Sequence, residues 1–318
     1  LNSKKILVTG ASGYLGERIA GHLSVLGYNV IPAFGSRIPD WGKELSVGWR
    51  SLDVTDPTSC TAAIEGCDTV IHLAAINEWE CIRNPRRAFE INTIGTLNVL
   101  EAAKAAKTSR FIYFSTAHVY GPLVGQISES TVPQPVHPYA YTHHAAEDIV
   151  RSFAQGAAMA TVSVRLSNAF GAPRSPEVNR WSLLVNDVCR QVILKKVIEL
   201  SSPGLQLRDF VGISDVVRAV EHLLTVPGSL LVGQPINLGG NNIKSVFAMA
   251  QLIQQRSEVI LGLKPDIRRP DPTIGEVAVP FHFDSSRMAE MGFKWLGHET
   301  KEIDDTLRFC LAASGSWS

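Results

Sequence analysis

The 318-residue sequence has no apolar run approaching the ~18 residues that cross a bilayer, so no membrane-spanning helix is expected. It also has no excess of charge. Thirty basic and thirty acidic residues leave a formal net charge of zero, which offers no electrostatic footprint for nucleic acid or for an anionic membrane surface. The basic runs "RNPRR" (83–87) and "RRP" (268–270) are too short to change that. The five cysteines, at 60, 67, 81, 189 and 310, form no CxxC pair and no metal-ligand spacing. An odd, scattered set of this kind points to reduced thiols and a cytoplasmic location. The polar lead "LNSKK" runs straight into an apolar strand, so no signal peptide is expected. Internal repeats and low-complexity segments are absent.

What is present is ordinary for a globular chain with a sizeable core: 45% hydrophobic and 19% charged residues, at a length that suits one large or two intimate domains. The first half alternates short apolar runs, "KILVT" (5–9), "YNVIPAF" (28–34), "WRSLDV" (49–54), "DTVIHLAA" (68–75), "RFIYFST" (110–116) and "ATVSVRL" (160–166), with helix-like segments. Continuous apolar strands alternating with helices imply an α/β fold with a parallel sheet covered on both faces. Past residue 170 the rhythm loosens. "FGAPRSPEVNRW" reads as a loop opening a second region, and "QPINLGG" (234–240) returns to the sheet. The expected division is 1–170 with 209–240 for the first domain and 171–208 with 241–318 for a smaller lobe.

"VTGASGYLG" places Gly10, Gly13 and Gly16 directly between the first strand and an amphipathic helix that opens with Tyr14 and Leu15. Glycine there lets the backbone turn tightly and approach a pyrophosphate lying on the positive helix N-terminus, so the first domain is expected to bind a dinucleotide. An acidic residue ending the second strand would hold the adenosine ribose hydroxyls of NAD. This chain has Phe34 and then "GSR". With Ser36 and Arg37 able to grip a 2′-phosphate, NADP(H) is expected over NAD(H), the plainer alternative being an Arg37 that points into solvent.

The GxxGxxG spacing, with "LDVTD" (52–56), "HLAA" (72–75), "INTIGTLNVLEAA" (91–103), "FSTAHVYG" (114–121), "RLSNAFGAP" (165–173), "QLRDFVGISDV" (206–216) and "RRPD" (268–271), resembles the extended branch of the short-chain dehydrogenase/reductase superfamily, the nucleotide-sugar epimerases, dehydratases and reductases. The resemblance implies a Rossmann-type doubly wound parallel sheet with a smaller C-terminal substrate-binding lobe, a nucleotide-sugar substrate and a homodimer. It implies Asp53 and Val54 on the adenine side of the cofactor, Leu73, Ala74 and Ala75 along its diphosphate and ribose, and Asn92 in the usual place on the long helix. It also implies Asn168, Arg208 and Arg269 on the substrate diphosphate, which suits a planar guanidinium. Arg208 has Asp209 and Asp215 as alternative ion-pair partners, and "RRPD" lacks the glycine usual before its aspartate. Glu78 of "NEWE" either reaches the sugar or lies on a solvated loop.

In this family a Ser or Thr and a Tyr face the reacting carbon, with a lysine four residues after the tyrosine. Here "HPYAYTHHAAED" (137–148) has Tyr139 and, four residues on, His143. Thr116, three before Val119, and Glu147, eight beyond Tyr139, set this register, and Tyr141 would pair only with Ala145. Residues four apart share a helix face, so His143 can reach what the lysine would reach and bond ribose hydroxyls through a ring N–H. Ala117 and His118 replace the Asp–Glu pair of the 4,6-dehydratases, which argues against that elimination. His118 is either a proton-transfer group or a pocket residue. The leading expectation is reduction or oxidation at a sugar carbon. An epimerase holding NAD tightly, a catalytically inactive cofactor-binding or scaffold protein, and an enzyme of free uronic acids or lactones are the alternatives.

Overall fold

Short apolar runs bounded by glycine or polar residues form the strands, and amphipathic runs form the helices between them. In the computed structural model, which describes residues 4–35, 38–40, 48–154, 159–178 and 180–317, the strands are β1 Lys5–Thr9, β2 Asn29–Phe34, β3 Arg50–Ser51, β4 Thr69–His72, β5 Arg110–Thr116, β6 Gly125–Ile127, β7 Ala160–Leu166, β8 Asn168–Phe170, β9 Val197–Glu199, β10 Leu207–Gly212, β11 Val232–Leu238, β12 Ile243–Ser245, β13 Asp266–Arg268 and β14 Phe281–Phe283. Seven of them form one sheet in the order β11-β7-β5-β4-β1-β2-β3, and its pairs from β7 across to β3 are parallel. The chain builds outward from β1 to β2 and β3, then crosses back to β4, β5 and β7. Strand order therefore reverses between β1 and β4, the switch point at which open α/β sheets bind their ligands. This is the doubly wound α/β sheet expected from the sequence. Among the described residues no helix is long and apolar enough to cross a membrane.

The chain divides into two compact units, Leu1–Pro122 with Glu129–Leu166 and Ala219–Asn237, and Leu123–Ser128 with Ser167–Arg218 and Leu238–Ser318. The first has a core built on Leu7, Val70, Phe111, Val99, Leu100 and Val150, and the second on Phe170, Val188, Phe210, Met249, Ile253 and Leu307. Three local expectations differ. β10, placed by sequence with the dinucleotide half, lies in the second unit because it pairs with β8 on one side and β12 on the other. The strand expected over 49–54 is only two residues long, because the Asp53 carboxylate accepts the N–H and the hydroxyl of Thr55 and turns the chain. The long helix Gly95–Ala105 is preceded by a π-helical turn, Phe89–Ile94. All five cysteines are buried and free.

A buried histidine ties β1, β4 and the long helix together. Thr9 Oγ1 accepts the N–H groups of Leu73 and Ala74, at 3.1 and 3.2 Å, so its own proton goes to His72 Nδ1 at 2.7 Å. Thr96 donates its proton to the Asn92 carbonyl at 2.6 Å and so accepts from His72 Nε2 at 3.1 Å. The ring is thereby fixed as the neutral Nε2–H tautomer. Burial, and secondarily the charge of His143, push His72 down to about 3 from the usual 6.5. Between those values the unfolded chain binds a proton at this ring that the folded chain refuses. Stability therefore rises with pH through that window and falls on acidification. Chemical denaturation from about pH 7 down to about pH 4 is expected to show this loss in the wild type and a flatter dependence in His72→Gln, which cannot titrate. Parallel curves for the two proteins would remove His72 as the cause.

Candidate active site

The loop from β1 to the helix Tyr14–Val25 is built on close backbone approaches. Gly10 has φ of +64°, and a Cβ there would sit 2.8 Å from Ala74 N and 2.9 Å from the Leu73 carbonyl. A Cβ on Gly16 would sit 2.2 Å from the Gly10 carbonyl oxygen. These two glycines let the helix start rest on the loop and the loop rest on Leu73–Ala75. Gly13 occupies the N-cap and has no side chain to accept the first-turn N–H groups, which belong to Tyr14, Leu15 and Gly16. A twelve-residue helix whose N-cap is a glycine, fed by a loop with no room for a Cβ at Gly10 or Gly16, fits a dinucleotide pyrophosphate.

Around this loop the remaining cofactor candidates separate by environment. Asp53 is exposed, and its hydrogen bonds with Thr55 hold its carboxyl below the usual carboxylate range. Val54 is buried against Gly95, where an added Cβ would lie 2.7 Å from Val54 Cγ2. Phe34, where an acid would mark NAD, is wholly buried, with its ring 6.1 Å from that of Trp49. Ser36 and Arg37 lie outside the described residues. Asn92 is buried in the π turn with its amide engaged inside the protein. Its oxygen accepts Ile76 N–H at 2.9 Å, and its nitrogen donates to Thr142 Oγ1 at 3.1 Å and to Cys81 Sγ at 3.5 Å. It thus ties the segment after β4 to the helix that carries Tyr139.

That helix, Pro138–Ala154, brings the proton-transfer candidates together. Tyr139 lies in its first turn, half-buried, with its ring 4.3 Å from the buried ring of His143. His143 Nδ1 lies 2.9 Å from the Tyr139 carbonyl oxygen, which can only accept, so Nδ1 carries the proton and Nε2 of the neutral ring is an acceptor. The expected ring N–H toward a ribose is therefore directed to the backbone, and the neutral ring meets a hydroxyl as an acceptor. Thr116 ends β5 and accepts His118 N–H at 3.2 Å, capping the short turn Ala117–Tyr120. The turn sets the His118 ring edge-on to Tyr139, with centroids 6.3 Å apart. Tyr113, buried on β5 with no hydroxyl partner among the described residues, stacks on His72 at 5.9 Å and lies tilted to His143 at 6.2 Å. Burial, with the charges of Glu147 and Tyr139 adding to it, raises its phenol well above 10.0.

Two groups escaped the sequence reading. Arg165 forms a buried bidentate pair with Glu147, Nε to Oε1 at 3.0 Å and Nη2 to Oε2 at 2.6 Å, beneath the helix. An arginine inside the apolar strand "ATVSVRL" was the available signal, since a buried charge needs a partner. His137 stacks on Tyr139 at 6.3 Å and 16° and meets His118 edge-on at 5.4 Å. Glu78 is exposed at the start of the helix Glu78–Arg83, with Oε1 3.8 Å from His137 Nε2.

The substrate candidates lie in the second unit. Asn168 begins β8 and donates to the Asp209 carbonyl at 3.0 Å. Arg208 lies on β10 opposite Lys244. Arg269 follows β13, donates to the Pro203 carbonyl and stacks 3.5 Å over the Phe247 ring centroid. The two carboxylates weighed as partners for Arg208 have other engagements. Asp209, raised by burial against the pull of its hydrogen bonds, accepts Ser167 Oγ and the N–H groups of Gly240 and Asn242. Asp215 accepts from Arg218 and from the N–H groups of Leu296 and Gly297.

A model of the NAD dependent epimerase/dehydratase family matches residues 6–239. The uncharacterized UDP-glucose epimerase YtcB of Bacillus subtilis is 28% identical over 292 residues, which are 86% of this chain and 87% of that protein. Among solved structures, RMD from Pseudomonas aeruginosa complexed with NADPH is similar at a TM-score of 0.77 and 23% identity, covering 98% of this chain and 99% of that one. The UDP-glucose 4-epimerase of Thermus thermophilus in complex with NAD is similar at 0.79 and 22%, covering 97% of this chain and 99% of that one. At these identities the two structures attest the fold. A glycine loop at the switch point of a doubly wound sheet, and a family match over most of the chain, lead to one conclusion: the protein belongs to the NAD dependent epimerase/dehydratase family, a family of enzymes.

Proposed function

We propose that the protein is an NAD(P)-dependent oxidoreductase acting on a nucleotide-linked sugar, with Tyr139 exchanging the proton of the reacting alcohol or ketone. The observation that carries this reading is the contact of Tyr139 and His143, with ring centroids 4.3 Å apart on one helix face. Thr116 supplies a second hydroxyl at the end of β5, and His118 follows on the turn it caps. A bound nicotinamide supplies the hydride acceptor and donor. Glycines 10, 13 and 16 cradle its pyrophosphate, Leu73–Ala75 line its path, and Asp53 and Val54 flank the adenine. NADP(H) is the favoured form, because Phe34 leaves no carboxylate for ribose hydroxyls and Ser36 and Arg37 follow it. Arg208 and Arg269, with Asn168, hold the substrate diphosphate.

His143 works differently from the lysine it replaces. An ammonium only donates, whereas a neutral imidazole with its proton on Nδ1 accepts at Nε2. It can take a hydrogen bond from a ribose hydroxyl or from the phenol, and as a cation it can favour the phenolate. A second reading, an epimerase that retains NAD and shows no net redox, is favoured by the Bacillus subtilis relative. The cofactor released from purified protein on denaturation separates the two. A homodimer fits the exposed apolar side chains Trp79, Ile82, Phe89 and Ile94 on the helices after β4.

Three outcomes follow from these assignments. Calorimetry is expected to show NADP(H) binding tighter than NAD(H), with Arg37→Ala weakening NADP(H) alone by ~1.5–3 kcal/mol; equal loss for both cofactors refutes the phosphate grip. Tyr139→Phe should keep cofactor binding and lose ~10²–10⁴-fold in turnover. His143→Lys should preserve activity if imidazole only imitates the ammonium, and abolish the pH limb near neutrality if it titrates. Unchanged turnover in both Tyr139→Phe and His143→Ala would remove the pair from the mechanism. Arg208→Ala and Arg269→Ala should each weaken UDP or dTDP binding in a thermal-shift titration while leaving cofactor affinity nearly unchanged. No protection of the wild type by any nucleoside diphosphate would point to a free sugar acid or lactone instead.

A further inference from the structure

His137 is the N-cap of the helix that carries Tyr139. The Ala140 N–H donates to His137 Nδ1 at 3.3 Å, the Tyr141 N–H donates to its carbonyl at 3.1 Å, and Pro138 takes the first helical position. With Nδ1 accepting, the neutral ring carries its proton on Nε2, the atom that faces Glu78 Oε1 at 3.8 Å. Histidine is not a preferred cap. Serine, threonine, asparagine and aspartate reach the third amide with less bulk. What imidazole adds is a ring, and here the ring lies nearly parallel to Tyr139, 16° between planes, with the edge of His118 against it at 5.4 Å.

We propose that His137 is a positioning residue for proton transfer. Its Nδ1 holds the helix turn on which Tyr139 sits, and its ring sets Tyr139 and His118 relative to one another. Glu78, which the sequence leaves either to the sugar or to a solvated loop, lies beside the His137 ring, with Oε1 3.8 Å from Nε2. The groups that face His137 are Glu78 from the helix Glu78–Arg83, His118 from the turn after β5, and Tyr139 from its own helix. The proposal rests on the reading of Tyr139 as the proton-transfer residue.

Two variants separate the functions of the one side chain. His137→Asn keeps a cap acceptor and removes the ring; His137→Phe keeps a ring and removes the acceptor. The phenolate absorbance of Tyr139, isolated as each protein's spectrum minus that of the same protein carrying Tyr139→Phe, needs no substrate. His137→Asn is expected to melt like the wild type while the phenolate of Tyr139 appears at lower pH, since water reaches a phenol that the ring had shielded. His137→Phe is expected to melt several degrees lower with the titration of Tyr139 close to that of the wild type. A His137→Asn protein that titrates like the wild type overturns the proposal, as does a shift in both variants that follows only their loss of stability. If Tyr139→Phe alone turns over like the wild type, the proton-transfer reading has failed on that variant, independently of His137.

Discussion

The position of Tyr139 depends on a buried ion pair further along its helix. Glu147 and Arg165 are each only 4% exposed at the side chain, so both charges are out of water. Two such charges cost several kcal/mol each to desolvate, and only good geometry returns it. Here the geometry is good: the carboxylate takes both nitrogens of the fork, and the guanidinium lies 4.6 Å over the Tyr120 ring. Burial pulls the Arg165 pKa down, but Glu147 and Tyr120 together push it up, so the arginine stays charged. Removing one partner would leave the other buried and uncompensated, at a cost of ~3–5 kcal/mol. The consequence is positional. β7 supplies Arg165, the helix Pro138–Ala154 supplies Glu147, and Tyr120 ends the turn that carries His118. Tyr120 in turn donates to Asn237 on β11 at 2.7 Å. The elements that carry the two candidate proton-transfer groups, Tyr139 and His118, are thereby tied to the same charge pair.

The front of the helix is held by polar ties. Thr93 Oγ1 donates to the Thr142 carbonyl at 3.0 Å, and Asn92 donates to the Thr142 hydroxyl. Both come from the π turn, in which Asn92 and Thr93 are consecutive and reach the same residue, Thr142. Behind them, His72 joins Thr9 at the glycine loop to Thr96 on the long helix. A polar path thus runs from the β1 loop through His72, Thr96, Asn92 and Thr142 to the turn that carries Tyr139. Each link is buried, so a broken link would strand an unsatisfied group, which costs ~1–3 kcal/mol. That penalty favours one relative placement of the glycine loop and Tyr139.

Much of this was legible in the sequence because it is periodic or local. The apolar runs announced the strands, and Gly10 and Gly16 announced a close approach that the structure shows to be backbone on backbone. Tyr139 and His143 met because four residues make a helix turn. The illegible parts are long-range or conformational. Asn92 read as a cofactor ligand by its place in a motif, yet its bonds reach Ile76, Cys81 and Thr142, contacts that only the fold creates. Glu147 served as a register mark, and its partner lies 18 residues away on a strand that pattern alone would leave wholly apolar. "WRSLDV" read as a strand of six, but the hydrogen bonds of Asp53 to Thr55 end it after Ser51, a competition that short polar side chains often win. His137 carried no signal in the sequence, because histidine is not among the usual cap residues.

Exchanging lysine for histidine changes stiffness as well as charge. A lysine side chain loses up to ~1.5–2 kcal/mol of rotamer freedom when it is fixed, and its ammonium swings on a four-carbon stem. The imidazole of His143 has two torsions, its Nδ1–H is donated to the Tyr139 carbonyl, and its ring is packed against both Tyr139 and Tyr113. The acceptor atom Nε2 is therefore set by the helix itself. Such a ring gives a short, fixed contact and gives up the reach and permanent charge of an ammonium. Its neighbours must then supply what reach would have supplied. His137 and His118 pack on the same phenol, each with its ring centroid 6.3 Å from that of Tyr139. The rings of His143, His137 and His118 all pack on Tyr139, so ring packing contributes to how the phenol is held.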